Sequence, residues 1–349
     1  MKTLKKKGRV IIVFEAGATH TGLDSAKALA RAAKEAGADA VKFQMLSADR
    51  LMADREVEFE YGYLCRTETG KEEIRTCREP LYQILKRREL SREEWRELKR
   101  YCDELGISMF CTATFKDEVD FLVDELGVPS IKICSGDIDY LDLIAYTARK
   151  GVNLQLDTGG AELWEVERAV RVAERAGCRD IVIHHCPTGY PAYLESINLR
   201  VITTLKRMFP DYLIGFSDHS PGWNMDIAAV ALGVDLLEKN ITLDKTTKSC
   251  EHALSLEPEE AKEFVKVIRE VEVALGSSRP RGIDARKVRI ARRSPYAVRD
   301  LPAGTPIKRE DFEFRRPQAG LTDYEFSLFL GKPLRKSLSQ GEPLTREHL

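Results

Sequence analysis

The sequence predicts an α/β chain in which a (β/α)8 TIM barrel is followed by a small β-rich domain. Three observations lead there. Eight short apolar runs recur between residues 10 and 239, separated by stretches of helical periodicity. Several helical stretches stop at a glycine just before the next apolar run, so that EAGADAVKF, ELGVPSIKI and RAGCRDIVI repeat one unit of helix end, left-handed stop and buried strand. Past residue 291 the pattern changes to short strand-like pieces between turn signals. The 349 residues suffice for both parts, since such barrels take ~250 residues.

In chain order, strands are expected at 10–15, 40–44, 107–112, 130–135, 152–157, 181–186, 212–217 and 234–239. Amphipathic helices are expected at 25–36, 92–105, 119–126, 163–176, 197–209 and 258–275. Residues 45–89 form a polar excursion too long for a tight loop between strand and helix. They read as a partly helical insertion, either over the barrel mouth or as surface decoration. The barrel should occupy residues 1–276, a linker 277–291 (beginning SSRPRGIDA), and the small domain 292–349. A core that small is marginal alone, so docking on a barrel is expected.

Composition narrows the function. Lys plus Arg (55) nearly cancels Asp plus Glu (56), so no basic surplus points to nucleic acid. No apolar segment reaches the ~18 residues a membrane helix needs, and the apolar run after the basic residues 1–9 is too short for a signal peptide. The cysteines are scattered without a CxxC pair, and Cys111, Cys134 and Cys186 fall in or beside expected buried strands. Reduced thiols in a cytoplasmic protein, with no structural zinc, are the expectation.

In such a barrel the chemistry lies at the C-terminal edge of the strands, so the polar ends of the apolar runs form the candidate site. Glu15 ends the first run, in Glu15-Ala16-Gly17-Ala18-Thr19-His20-Thr21-Gly22. A carboxylate there acts as a general base or its partner, or else braces barrel backbone. Lys42 and Lys132 lie inside apolar runs, and a lysine is rarely buried unpaired. Two of them point to an anionic ligand such as phosphate or carboxylate; a buried Lys–Glu pair and a Schiff-base lysine are the other readings. Ser135, Gly136 and Thr112 add hydroxyls and open backbone to the same edge. His185 and His219 end the sixth and seventh runs, with Asp218 and Glu238 near in sequence. Two imidazoles at a barrel mouth suit a divalent metal, whereas a single one is ordinarily a satisfied polar group.

The opening motif at 15–22 is followed in order by Lys-Phe-Gln at 42–44, Lys-Ile-x-Ser-Gly at 132–136, His185-Cys186, Tyr190-Pro191, Gly215-Phe216-Ser217-Asp218-His219, Glu238-Lys239 and Ser255-Leu256-Glu257-Pro258. Together these resemble the N-acetylneuraminate (sialic acid) synthase family over nearly the whole chain. Arg315-Arg316-Pro317 and Leu330-Gly331-Lys332 resemble the antifreeze-like (SAF) domain of the same enzymes. The resemblance implies condensation of phosphoenolpyruvate with an N-acyl amino sugar or related aldehyde, giving a 2-keto-3-deoxy acid and phosphate. It implies that Lys42, Thr112, Lys132, Ser135 and Ser217 hold phosphoenolpyruvate, joined by Thr188 before Tyr190-Pro191. Glu15 or a metal-bound hydroxide is the implied base, with Glu238 a further catalytic carboxylate. His219 is the implied ligand of a divalent metal ion, manganese or magnesium. Gln44 and Tyr190 would touch the sugar, and Arg316 would reach over the barrel of a partner subunit in a domain-swapped homodimer.

The chain departs from the family pattern at several places. The second metal histidine is Asn240, whose amide oxygen is a weaker ligand for a transition metal; Glu251 or His252 stands near enough in sequence to compensate, and Glu251 is also a candidate substrate contact. Thr19 replaces an asparagine, Asp157-Thr158-Gly159-Gly160 replaces Ser-Thr-Gly-Met, and Lys248-Ser249-Cys250-Glu251-His252 replaces Pro-Gly-Pro-Asp-His. All of these lie at the mouth, so a divergent acceptor is expected. Other metal-assisted carbon–carbon chemistry and a non-catalytic sugar-binding role are the alternatives.

Overall fold

The computed structural model describes residues 9–67, 69–278 and 284–349, and the chain divides into two compact units, Met1–Gly276 and Ser277–Leu349. In the first, β1 (Ile11–Glu15) and β2 (Ala40–Gln44) are followed by β3 (Glu58–Arg66) and β4 (Glu72–Pro80). Next come β5 (Ser108–Thr112), β6 (Ser130–Ile133), β7 (Asn153–Asp157), β8 (Ile181–His185), β9 (Leu213–Asp218) and β10 (Leu236–Asn240). All but β3 and β4 close into one parallel barrel in chain order, β10 pairing back on β1.

Local chemistry sets the element ends. Helix Arg92–Leu105 starts in a capping box, with the Ser91 hydroxyl accepting from the Glu94 amide (3.3 Å) and the Glu94 carboxylate accepting from the Ser91 amide (2.7 Å). It ends at Gly106 in left-handed geometry, as helix Leu23–Ala36 ends at Gly37. The stretch expected as one helix at 197–209 is two, Leu194–Ile197 and Arg200–Met208, parted by Asn198 at φ 46°. Helices Leu141–Ala148 and Asn224–Ala231 complete the outer layer; neither was expected from the sequence.

Two apolar layers result. The larger packs helices on the outer strand faces, with Phe14, Phe43, Trp95, Phe121, Phe216 and Phe264 fully or almost fully buried. The smaller fills the barrel itself with Ile11, Val13, Ala40, Phe110, Val182 and Leu236. That inner layer is a packed floor, so ligands reach only what lies above it.

The insertion differs from expectation. It holds short helices at Ala48–Leu51 and Leu81–Lys86, but its bulk is the antiparallel hairpin β3–β4. Tyr61 of the hairpin packs with Ile84 and with Cys250 from the loop after β10, which ties the insertion to the barrel mouth.

In the second unit, β11 (Ser294–Ala297) and β12 (Phe312–Arg315) pair antiparallel. Isolated bridges such as Leu301 with Leu338 extend the β structure around a core including Phe312, Phe326 and Leu344. Of the stretch read as linker, 279–283 lies outside the described residues and Ala285–Ala291 is helical. Among the described residues no helix is long and apolar enough to cross a membrane, and no cysteine is paired.

Candidate active site

Strand alternation sends Glu15, Lys42, Lys132, Ser217 and Glu238 into the barrel above the apolar floor. Register then makes them neighbours: Glu15 lies beside Lys42, Thr112 beside Lys132, and Ser217 beside Glu238. Lys42 pairs with Glu15 and with Glu238 Oε1 (2.8 Å). The same Glu238 oxygen meets Lys132 Nζ at 2.7 Å and accepts from the Ser217 hydroxyl at 3.2 Å. Lys132, fully buried, also meets Asp157 Oδ2 at 2.9 Å. Three carboxylates therefore face two ammonium groups. Dehydrating these charges is costly, and the network persists because each ammonium meets at least two carboxylates.

The carboxylates are not equivalent. Burial pushes the Glu15 carboxyl up, and Glu238 adds to this against the pull of Lys42. Burial acts the same way on Glu238, but Lys132 and Lys42 outweigh it and hold Glu238 well below the usual carboxylate range. Two carboxyl groups pushed apart in this way suit one to proton transfer and the other to a permanently ionised role. The Gly17 amide donates to Glu15 Oε1, and a Cβ at Gly17 would stand 2.8 Å from that oxygen, so only glycine lets the chain fold back on the carboxylate.

Beneath the lysines a polar chain crosses the barrel. A His184 ring nitrogen meets Gln155 Oε1 at 2.7 Å, and Gln155 Nε2 donates to the Ser130 hydroxyl at 2.9 Å. Burial lowers the His184 pKa to about 4, with Lys132 adding to the effect, so the ring is neutral. Gly215 leaves room for it: a Cβ there would sit 2.5 Å from His184 Nδ1. Gly215→Ala is expected to displace the ring and lower stability by about 1–3 kcal/mol, read from the denaturant midpoint. An unchanged midpoint would show that the ring gives way freely.

Above the charges lies a cavity of about 310 Å³. Its inner end carries Glu15, Lys42, Thr112, Asp157, Ser217 and Glu238. Its outer wall comes from the insertion and is apolar, including Leu46, Phe59, Leu81, Ile84 and Leu85. Phe59 faces Tyr190 (6.4 Å between rings), and Tyr190 packs on His219 (4.7 Å). Arg88, at the end of the insertion, pairs with Glu251 (3.6 Å) and donates to the Cys250 carbonyl (3.3 Å).

Among the described residues no three His, Cys, Asp or Glu side chains form a metal cage. His219 turns Nδ1 to the Pro187 carbonyl (3.2 Å), and its pKa is raised to about 9: burial opposes the proton, but Cys186 and then Glu251 outweigh it. Asn240 donates through Nδ2 to Glu251 (2.7 Å), which leaves its carbonyl oxygen as the end able to ligate. Once His219 gives up its proton, one imidazole and one amide oxygen would fit a hard divalent ion that keeps water or substrate oxygens around it.

Most of the expected residues thus meet at one place. Gln44, Ser135, Tyr190, His219 and Glu251 line the cavity; Lys132 and Asn240 lie just behind its wall. Thr188 is exposed and lines a neighbouring cleft, and Arg316 is exposed in the second unit. Two residues flagged by sequence face away from the cavity. His185 bonds the Ile197 carbonyl and stacks on Phe216 in the outer layer. Asp218 pairs with Lys239, also outside the barrel. Sequence reading missed Arg88 and the apolar wall. Alternation of Phe59, Tyr61 and Tyr63 with Glu58, Glu60 and Gly62 was the available signal for that hairpin face.

A family model described as NeuB matches residues 29–280, and a SAF domain model matches residues 292–349. The chain is 35% identical to N,N'-diacetyllegionaminic acid synthase of Legionella pneumophila over 345 residues, 97% of this chain and 94% of that protein. It is 39% identical to human N-acetylneuraminate-9-phosphate synthase over 270 residues, 76% of this chain and 71% of that one. The crystal structure of the spore coat polysaccharide biosynthesis protein SpsE from Bacillus subtilis superposes with a TM-score of 0.65 at 31% identity, covering 99% of this chain and 96% of that one.

Proposed function

The chain belongs to the NeuB family of phosphoenolpyruvate-dependent nonulosonic acid synthases, and from that premise we propose that it condenses phosphoenolpyruvate with an unphosphorylated N-acyl amino sugar in its open-chain aldehyde form. The observation that carries this reading is the pair of buried lysines at the C-terminal edge of the barrel, set against two carboxyl groups of opposite tendency. Lys42 and Lys132, with the hydroxyls of Thr112, Ser135 and Ser217, seat phosphoenolpyruvate. Gln44, Tyr190 and Glu251 face the sugar.

The enol carbon C3 of phosphoenolpyruvate bonds to the aldehyde carbon through its π electrons, which leaves C2 an oxocarbenium centre, and the aldehyde oxygen takes a proton from water to end as a hydroxyl. Water adds at C2 while Glu15 takes its proton. The C2–O bond to phosphate then breaks, leaving a 2-keto-3-deoxy acid and free phosphate. Glu238, kept ionised by both lysines, steadies positive charge at C2 during the addition. His219 and the Asn240 oxygen would hold a divalent ion, magnesium or manganese, which would supply Lewis-acid polarisation of the aldehyde. Following the family resemblance, Arg316 of the small domain serves the sugar site of a partner in a domain-swapped homodimer. Phosphoenolpyruvate is a cytoplasmic metabolite, so the enzyme acts in the cytoplasm.

The outer wall supports an uncharged acceptor. Among its described lining residues the cation at that end is Arg88, and Glu251 already holds it. Along the wall that the barrel unit itself supplies, a dianionic sugar phosphate would meet leucines and Phe59, whereas acyl methyl groups bury there favourably. The test is phosphate release from phosphoenolpyruvate with magnesium or manganese, across N-acyl hexosamines and their 6-phosphates. Release that needs both metal and an uncharged sugar is expected. Release only with the 6-phosphates would reverse the acceptor assignment, and none with any aldehyde would end the synthase reading.

A further inference from the structure

We propose that Asp157 is an internal counter-anion: it occupies Lys132 until the charged end of phosphoenolpyruvate displaces it, and so sets how tightly the protein holds that anion. This rests on the reading above that the lysine seat takes phosphoenolpyruvate. Asp157 ends β7 two residues beyond Gln155, the register partner of Lys132. Its carboxylate edges the cavity, and Oδ2 lies 2.9 Å from Lys132 Nζ. The other oxygen, Oδ1, is buried with no hydrogen-bond partner among the described residues. A carboxylate bonded on one side only, in a polar cavity, leaves a group poorly compensated for its lost hydration.

The three carboxylates of the seat differ in how firmly they are held. Glu238 also leaves one oxygen unpartnered among the described residues, but its other oxygen bonds Lys42, Lys132 and Ser217 at once. Glu15 bonds Lys42, Gln44 and the Gly17 amide. Asp157 has Lys132 alone. Its backbone, by contrast, is pinned: the Thr158 hydroxyl donates to the His184 carbonyl (2.8 Å) and the Gly159 amide to the Ser135 hydroxyl (3.0 Å). The side chain can therefore turn away without moving the strand. With Asp157 in place the lysines hold no spare positive charge, and an incoming phosphate and carboxylate face like charge at contact, which opposes binding. Turning Asp157 out hands Lys132 to the ligand. A hydroxyl here, as in the Ser-Thr-Gly-Met pattern, would leave the lysine free from the start.

The sign of the effect separates this role from a merely structural one. Removing a structural carboxylate weakens binding; removing a competitor strengthens it. Full-length wild type, Asp157→Ser, Asp157→Asn and Asp157→Glu are titrated calorimetrically with phosphoenolpyruvate and with orthophosphate, in magnesium, with melting curves alongside. Asp157→Ser and Asp157→Asn are expected to bind both anions about tenfold more tightly or better, while Asp157→Glu stays within a few-fold of wild type. Equal or weaker binding by both neutral variants, with melting unchanged, overturns the proposal and leaves the synthase reading standing. Tighter orthophosphate binding without any phosphoenolpyruvate binding supports the counter-anion and counts against the synthase reading. If neither anion binds any of the four proteins, both fall.

Discussion

Lys132→Met is expected to abolish phosphoenolpyruvate binding and to lower stability by about 3–5 kcal/mol. Methionine fills nearly the same volume, so what is lost is the charge. Lys132 is fully buried and meets Glu238 at 2.7 Å and Asp157 at 2.9 Å. Without it, Glu238 keeps Lys42 but Asp157 loses its one cation in a largely buried position. Calorimetric titration with phosphoenolpyruvate and a denaturant melt measure the two effects separately. The double variant Lys132→Met with Asp157→Asn should recover part of the stability, since it removes the stranded charge, with a coupling of about 0.5–3 kcal/mol. Binding should not return, because the seat still lacks its cation. Wild-type affinity in the single variant would take Lys132 out of the anion seat altogether.

That experiment turns on a pairing that sequence alone left open. A lysine inside an apolar run announces a buried charge, and both Lys42 and Lys132 were legible for that reason. Whether the partner was a ligand or a carboxylate was not, because the answer depends on strand register: Asp157 reaches Lys132 only because Gln155 lies beside it. Register is set by the closure of the whole barrel, not by local spacing. The outward turn of His185 and Asp218 has the same origin, since one residue along a strand exchanges the inner face for the outer. The eight barrel strands were readable because a buried parallel strand is apolar on both faces and ends sharply. Helices Leu141–Ala148 and Asn224–Ala231 were not, because they are short and largely apolar, with little contrast between faces. The hairpin was obscured by β4, which carries charge on both faces and so lacks the two-residue period its partner shows.

The largest effect on stability alone is expected at a lysine outside the site. Lys239→Met should destabilise the protein by about 3–5 kcal/mol, as much as breaking the anion seat. Lys239 points into the layer between barrel and helices, the opposite side from Glu238. It is fully buried, as are Asp218 and Asp226, which it pairs with, Asp226 at 3.4 Å. It also donates to the Ser220 carbonyl at 2.6 Å. Asp218 comes from β9 and Asp226 from helix Asn224–Ala231, so one ammonium group ties a strand pair to the helix that covers it. Burial pushes the Asp226 carboxyl well up, against the pull of Lys239, and Asp218 adds to the rise, so the expectation to be tested is a triad of one ammonium, one carboxylate and one neutral carboxyl at Asp226. Removing the lysine strands the Asp218 charge. Asp226→Asn, by contrast, keeps a neutral polar group of the same shape and should change stability by less than about 1 kcal/mol. Denaturant melts of the two variants decide between this and a plain loss of packing: comparable losses in both would mean that Asp226 is ionised and the triad is balanced differently. Because Lys239 lies on the far side of the strand from the anion seat, the molecules that remain folded should keep an intact site, and kcat should fall in proportion to the folded fraction with the KM for phosphoenolpyruvate unchanged.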